Sequence, residues 1–217
     1  MPELESNVLS LIVVVMALGF LPFVAVGVTA FAKITVVLLI VRNALGVQQT
    51  PPNMVLYGVA LVLTVYIAAP LAADVQTIVS DPALQFETLD DWLLVFERAS
   101  EPVREFLIKH ARADDRGFFM EASAQLWTPE QADKVTSDSL SVLVPAFLVS
   151  ELTRAFEIGF LLYLPFLAVD LIVSAVLMSL GMMMVSPIMI AIPFKLFLFV
   201  AVDGWSRLVQ GLVLSYV

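Results

Sequence analysis

The sequence predicts an all-α membrane protein made of two long apolar helical hairpins joined by a helical polar insert. Composition is the first ground. Of 217 residues, 60% are hydrophobic and only 14% charged, against about 45–50% and about 25% in soluble domains. Mean hydropathy is +0.97. The second ground is a set of uncharged runs long enough to cross a bilayer. The third is the charge distribution, since the net charge of −9 gathers in one central segment. These features divide the chain into residues 1–73, an N-terminal apolar hairpin; 74–144, an acidic helical insert; and 145–217, a C-terminal apolar hairpin.

No charge occurs from Val8 to Ala32, a run that exceeds the roughly 20 residues of a spanning helix. Glu3 and Glu5 precede it without Lys or Arg, whereas a cleaved signal peptide begins basic. The next uncharged run, Asn43 to Ala73, holds a turn signal at Gln49-Thr50-Pro51-Pro52-Asn53 and then a second span. Ile158 to Leu180 and Ile188 to about Arg207 are the third and fourth candidates. Lys33 and Arg42 between the first two runs mark a cytoplasmic connection by the positive-inside rule. The insert, with fourteen acids and six bases from Asp74 to Asp138, falls on the outer side.

The insert reads as folded. Trp92, Phe96, Ala99, Val103, Phe106 and His110 follow spacings of four and three, an amphipathic helical stripe. His110 belongs to this stripe as a surface or core residue rather than a ligand. Thr88 with Asp91 and Thr128-Pro129 with Gln131 resemble helix-start boxes. Pro102 is expected to divide the first helix, with Ser100 capping its second half. At about 65 residues the insert buries only a small core alone, so it gains from packing on neighbours.

Asp170, Lys195 and Asp203 lie inside the last hairpin, where a bare charge costs at least about 2.5–3.5 kcal/mol. A turn near Met183 places Asp170 opposite position 196, beside Lys195; the same register brings Arg207 near Glu157 and Asp203 near Tyr163. Structural pairing, an ion relay and a water-filled assembly are all open to these residues. Pro22, Pro70, Pro145, Pro165, Pro187 and Pro193 interrupt or bound the apolar runs, so bent helices packed in a larger body are expected.

The turn itself is Gly181-Met182-Met183-Met184-Val185-Ser186-Pro187. Gly181 and Pro187 bracket the methionines as a loop. The three are either ordinary packing residues or a soft, shape-tolerant seal, because methionine is unbranched and polarizable. With no cysteine and one histidine, thiolate sites and histidine-based metal sites are excluded, and no cofactor or metal is expected. There is no phosphate-binding glycine loop and no catalytic constellation, so an enzyme is not expected. The few scattered bases do not make a nucleic-acid surface. A solute transporter would need a midplane site and usually inverted repeats, and no repeat is evident. A purely structural scaffold remains a third possibility.

Three motifs carry a family resemblance. Pro145 to Phe160 (PAFLVSELTRAFEIGF) and the run Pro193-Phe194-Lys195-Leu196, Phe199-Val200, Asp203-Gly204-Trp205 resemble the two signatures of the FliP/SctR proteins of type III secretion. Arg42 to Asn53 (RNALGVQQTPPN) is similar to the family's first-hairpin motif, and Tyr163-Leu164-Pro165-Phe166 with Asp170 fits too. The short insert looks more like the injectisome branch than the flagellar one. The resemblance implies an R-type subunit of the export gate in the bacterial inner membrane, with its assembled core projecting towards the periplasm. It implies a pentamer of this chain in a helical pore with S-type and T-type subunits and further export-gate proteins, and unfolded secreted proteins as substrate. Met182, Met183 and Met184 then correspond to the family's pore gasket. Glu151, Arg154, Glu157, Asp170, Lys195, Asp203 and Arg207 become structural or inter-subunit charges.

Overall fold

The computed structural model describes residues 15, 19, 26–81, 89–182 and 184–217. Most of the predicted span Val8–Ala32, up to residue 25 apart from 15 and 19, lies outside them, as do Thr88 and Met183. The described residues form helices α1 (Phe31–Ala44), α2 (Asn53–Val79), α3 (Leu89–His110), α4 (Ala113–Leu126), α5 (Pro129–Ala132), α6 (Leu140–Ser179), α7 (Pro187–Ala201) and α8 (Gly204–Leu214), with no strand among them.

α1 contains neither Gly nor Pro and ends at Gly46, whose φ of 74° only glycine adopts without strain. The Pro51-Pro52 pair then sets the start of α2. The connection expected from Lys33 to Arg42 is therefore helical, part of Phe31–Ala44, and Lys33 is fully buried in it. A buried lysine is no loop marker, so its part in the orientation argument falls away.

α2 runs 27 residues and buries only Leu56, Ala60 and Thr64, one residue per turn. Val55, Leu61, Val62, Val65 and Tyr66 stay exposed. A helix apolar on all sides suits lipid or a neighbouring chain. α2 and α6 are each long and apolar enough to cross a membrane, and α7 with α8 make a third crossing if the bent pair is one span.

α6 is the axis of the fold. Its 40 residues extend about 60 Å at 1.5 Å per residue, twice the roughly 30 Å of bilayer hydrocarbon. It begins at Leu140, well before the predicted Ile158, and passes Pro145 and Pro165 without a break. Of the charges before Ile158, Glu151 and Arg154 are accommodated because they pair, and Glu157 is exposed. α2 and α7 likewise continue through Pro70 and Pro193. The interruptions fall instead at residues 180–186 and at Val202-Asp203, where α8 turns 61° from α7.

In the insert, α3 is continuous through Pro102, contrary to expectation. The proline ring weakens bonding to the preceding turn, and the Ser100 hydroxyl donates to the Glu97 carbonyl at 2.8 Å. Ser100 thus bonds back within its own helix rather than starting a new one. Both halves also bury side chains, Val95 before the proline and Leu107 after it. The capping box at Thr128 and Gln131 is present and opens α5.

α3 and α4 do not build a core by themselves. Leu107 and Ala111 pack against Leu143, Ala146 and Phe147 at the start of α6. A larger cluster joins Ile34, Val37, Leu38 and Val41 of α1 to Ala155 and Phe166 of α6, Phe199 of α7, and Leu208 and Leu212 of α8.

α1 and α6 approach closely at Gly159, where a Cβ would lie 2.5 Å from Ile40 Cδ1 and 3.1 Å from its Cγ2. Gly159→Ala is expected to lower stability by about 1–3 kcal/mol through overpacking, despite alanine's better helix propensity. Combining it with Ile40→Ala should restore part of the loss. Thermal unfolding of the purified chain checks both; an unchanged single variant would refute the close approach.

Candidate functional site

Three groups of chemistry-bearing residues emerge, all tied to α6. The first is the methionine loop at its C-terminal end. Gly181, at φ 73°, is the left-handed residue that closes α6. Its N–H donates to Met178 O at 3.0 Å and that of Met182 to Leu177 O at 3.0 Å, the paired bonds of a Schellman cap. Pro187 is the first residue of α7, where its missing N–H costs nothing. The seven-residue connection therefore has both ends fixed by backbone chemistry. At its tip Met184 is fully exposed at 101%, and Met182 is 44% exposed. Exposed thioethers on an apolar hairpin are unsatisfied by their own chain.

The second group fixes that hairpin. Lys195 on α7 is buried and donates to Asp170 Oδ2 on α6 at 2.7 Å and to the Ala44 carbonyl at 2.9 Å. The predicted opposition of Asp170 and Lys195 is met. The ammonium also lies at the C-terminal end of α1, where the helix dipole favours a cation. One side chain thus ties three helices, and Gly46 sits against it, with Lys195 Nζ 4.0 Å from where a Cβ would be.

Lys195→Ala leaves a carboxylate unpaired at membrane depth, a cost of at least about 2.5–3.5 kcal/mol. Lower recovery of assembled complex is expected, with unchanged conductance in what does assemble. Normal recovery with lost export would contradict this.

The third group is a buried polar hub about 44 Å along α6 from the loop, at 1.5 Å per residue. Glu151, fully buried, accepts from Lys33 of α1 (3.4 Å to Oε1, with the ammonium 3.2 Å from Oε2), from Arg154 (3.2 Å to Oε1) and from the Tyr216 hydroxyl. Lys33 Nζ also lies 3.5 Å from the centroid of the Tyr216 ring, a cation–π contact. Arg154 donates to the His110 carbonyl at 2.7 Å, holding the end of α3. Ser150 accepts from the Arg112 N–H at 2.9 Å and lies 2.6 Å from Asp115 Oδ2, holding the start of α4. The His110 ring stacks obliquely between Phe106 and Tyr216, at 4.6 and 5.2 Å between centroids. Burial, the largest influence, holds its imidazole below the ordinary range and keeps it neutral at pH 7.

The remaining named charges separate. Glu157 and Arg207 are exposed and form no ion pair with each other among the described residues. Asp203 has a left-handed backbone, φ 54°, at the 61° bend and makes no ion pair among the described residues. The hairpin register that places Lys195 is interrupted at this bend; Arg207 makes no ion pair with Glu157, although it lines the same cleft as the adjacent Ile158. Lys33 and Tyr216, central to the hub, carried no sequence signal as a pair. No group of three His, Asp or Glu residues able to hold a metal occurs among the described residues.

Comparison with known proteins places this architecture. The pattern of the FliP family matches residues 14–212. The chain is 52% identical over 216 residues to "Probable translocation protein y4yL" of Sinorhizobium fredii, covering 100% of this chain and 97% of that protein. It is 48% identical to "Yop proteins translocation protein R" of Yersinia pestis, over 96% of each. Identity to "Virulence protein YscR" of Salmonella typhimurium is 42% over 99% of each. With helical hairpins, signature residues and full-length similarity in agreement, the chain belongs to the FliP family.

Proposed function

We propose that this chain is a pore-forming subunit of the type III protein-export gate, passing unfolded proteins across the bacterial inner membrane, with Met182, Met183 and Met184 sealing the channel. At the coarser level it is a component of a protein-secretion apparatus, as the names of its relatives indicate. The observation that carries the finer reading is the methionine loop. It is capped at both ends, it sits at the tip of an apolar hairpin, and its described methionines face away from their own core.

A seal for export must hold back ions while idle and then give way to chains of any sequence. Unbranched thioethers repack around varied shapes at low cost, and a narrow apolar ring also closes by dewetting. A ring needs several copies, so the gate is a homo-oligomer, a pentamer by the family resemblance, completed by S-type and T-type subunits and further export-gate proteins. The long exposed apolar faces of α2, α6 and α7 supply surface for such neighbours. The assembled core then projects towards the periplasm, consistent with an α6 about twice as long as the bilayer hydrocarbon is thick.

A photo-cross-linking amino acid at position 184 is expected to capture a secreted protein arrested in transit. Capture of lipid alone, in a secreting cell, would contradict the pore assignment.

A further inference from the structure

The 61° bend at Asp203 opens a cavity of about 440 Å³ between α1, α6, α7 and α8. Its walls include Ile158, Leu162, Phe166, Phe199 and Leu212, and among the described residues Arg207 is the only polar side chain that reaches it. No carboxylate pairs with Arg207 among the described residues. The volume falls within the roughly 300–1,000 Å³ of ligand-holding pockets.

The chemistry names the occupant. A cleft that is apolar throughout except for one unpaired guanidinium complements an apolar tail with an anionic head. Guanidinium pairs with phosphate in a bidentate fork, and basic pockets between membrane helices select anionic headgroups. The setting agrees. α7, which leads into the bend, exposes Phe197 and Val200. α8 buries Leu208 and Leu212 while exposing Ser206, Arg207 and Gln210, the two-faced pattern of a helix at a membrane interface. Trp205, half-exposed and edge-on to Phe199 at 5.3 Å, is a residue type favoured at that depth. We propose that this cleft seats an acyl chain of an anionic phospholipid whose phosphate pairs with Arg207.

Trp205 provides the readout, because the other two tryptophans, Trp92 and Trp127, lie in the insert and can be replaced by Phe. The full chain carrying those two changes is placed in nanodiscs of phosphatidylcholine. Either phosphatidylglycerol or phosphatidylcholine with brominated acyl chains is then titrated in. Half-quenching of Trp205 is expected at an about fivefold lower fraction of the brominated anionic lipid. Arg207→Gln should erase that preference. Gly211→Leu should weaken quenching by both lipids, since a Cβ at Gly211 meets no atom within 4 Å and the new side chain enters the cleft.

Equal quenching by the two lipids overturns the proposal, as does a preference that survives Arg207→Gln. Absence of quenching by either also overturns it and assigns the cleft to a protein neighbour, including a second copy. The unsubstituted-cleft comparison of the two lipids decides without either variant, so a folding defect in one of them leaves the test intact.

Discussion

Glu151→Ala is expected to destabilise the fold by about 3–5 kcal/mol, the usual loss when one partner of a buried ion pair is removed. Lys33 is fully buried and would be left as an uncompensated cation. Arg154 and the Tyr216 hydroxyl would lose their shared acceptor. The damage would not stay local, because the hub holds α1, the end of α3, the start of α4 and the C-terminal residues to one point on α6. Lys33→Met combined with Glu151→Leu should recover most of the loss, since replacing a buried pair by apolar residues of similar volume is often neutral. Thermal unfolding and the yield of assembled complex measure both variants. A Glu151→Ala chain as stable as the parent would show that the hub contributes nothing net.

Much of this arrangement was legible in the sequence alone. The loop at Gly181 to Pro187 comes from a left-handed glycine and a first-turn proline, and these fix the hairpin register that brings Asp170 to Lys195. Register arithmetic fails once the helix bends. Asp203-Gly204 is a turn dipeptide of the kind that marks such a break, and it lay within an apolar run that otherwise read as continuous. The prolines misled in the opposite direction: α2, α3, α6 and α7 absorb Pro70, Pro102, Pro145, Pro165 and Pro193 without ending.

Lys33 was illegible for a different reason. A lysine between apolar runs looks the same whether it faces water or a carboxylate 118 residues away. Long-range pairing leaves no local pattern. Tyr216 and His110 share this limit, since their contacts join segments remote in sequence.

Replacing Met182, Met183 and Met184 together with alanine is expected to leave folding and assembly intact and to open the idle gate. Met184 makes no use of its side chain in its own chain, being fully exposed, and Met182 is nearly half exposed. Substitutions at such sites usually change stability by no more than about 0.5 kcal/mol. On the proposed reading, what alanine removes is the flexible thioether arm that would span the gap between copies. A wider, less apolar constriction no longer excludes water by dewetting, so ions enter with it. The backbone caps at Gly181 and Pro187 are untouched, which separates loss of the seal from loss of the loop. The decisive reading is therefore the electrical conductance of the purified complex in a planar bilayer with no substrate present. Parent complexes should pass almost no current and the triple-alanine complexes a sustained one at equal protein content. Currents that remain indistinguishable in fully assembled complexes would contradict the assignment of these methionines to the seal.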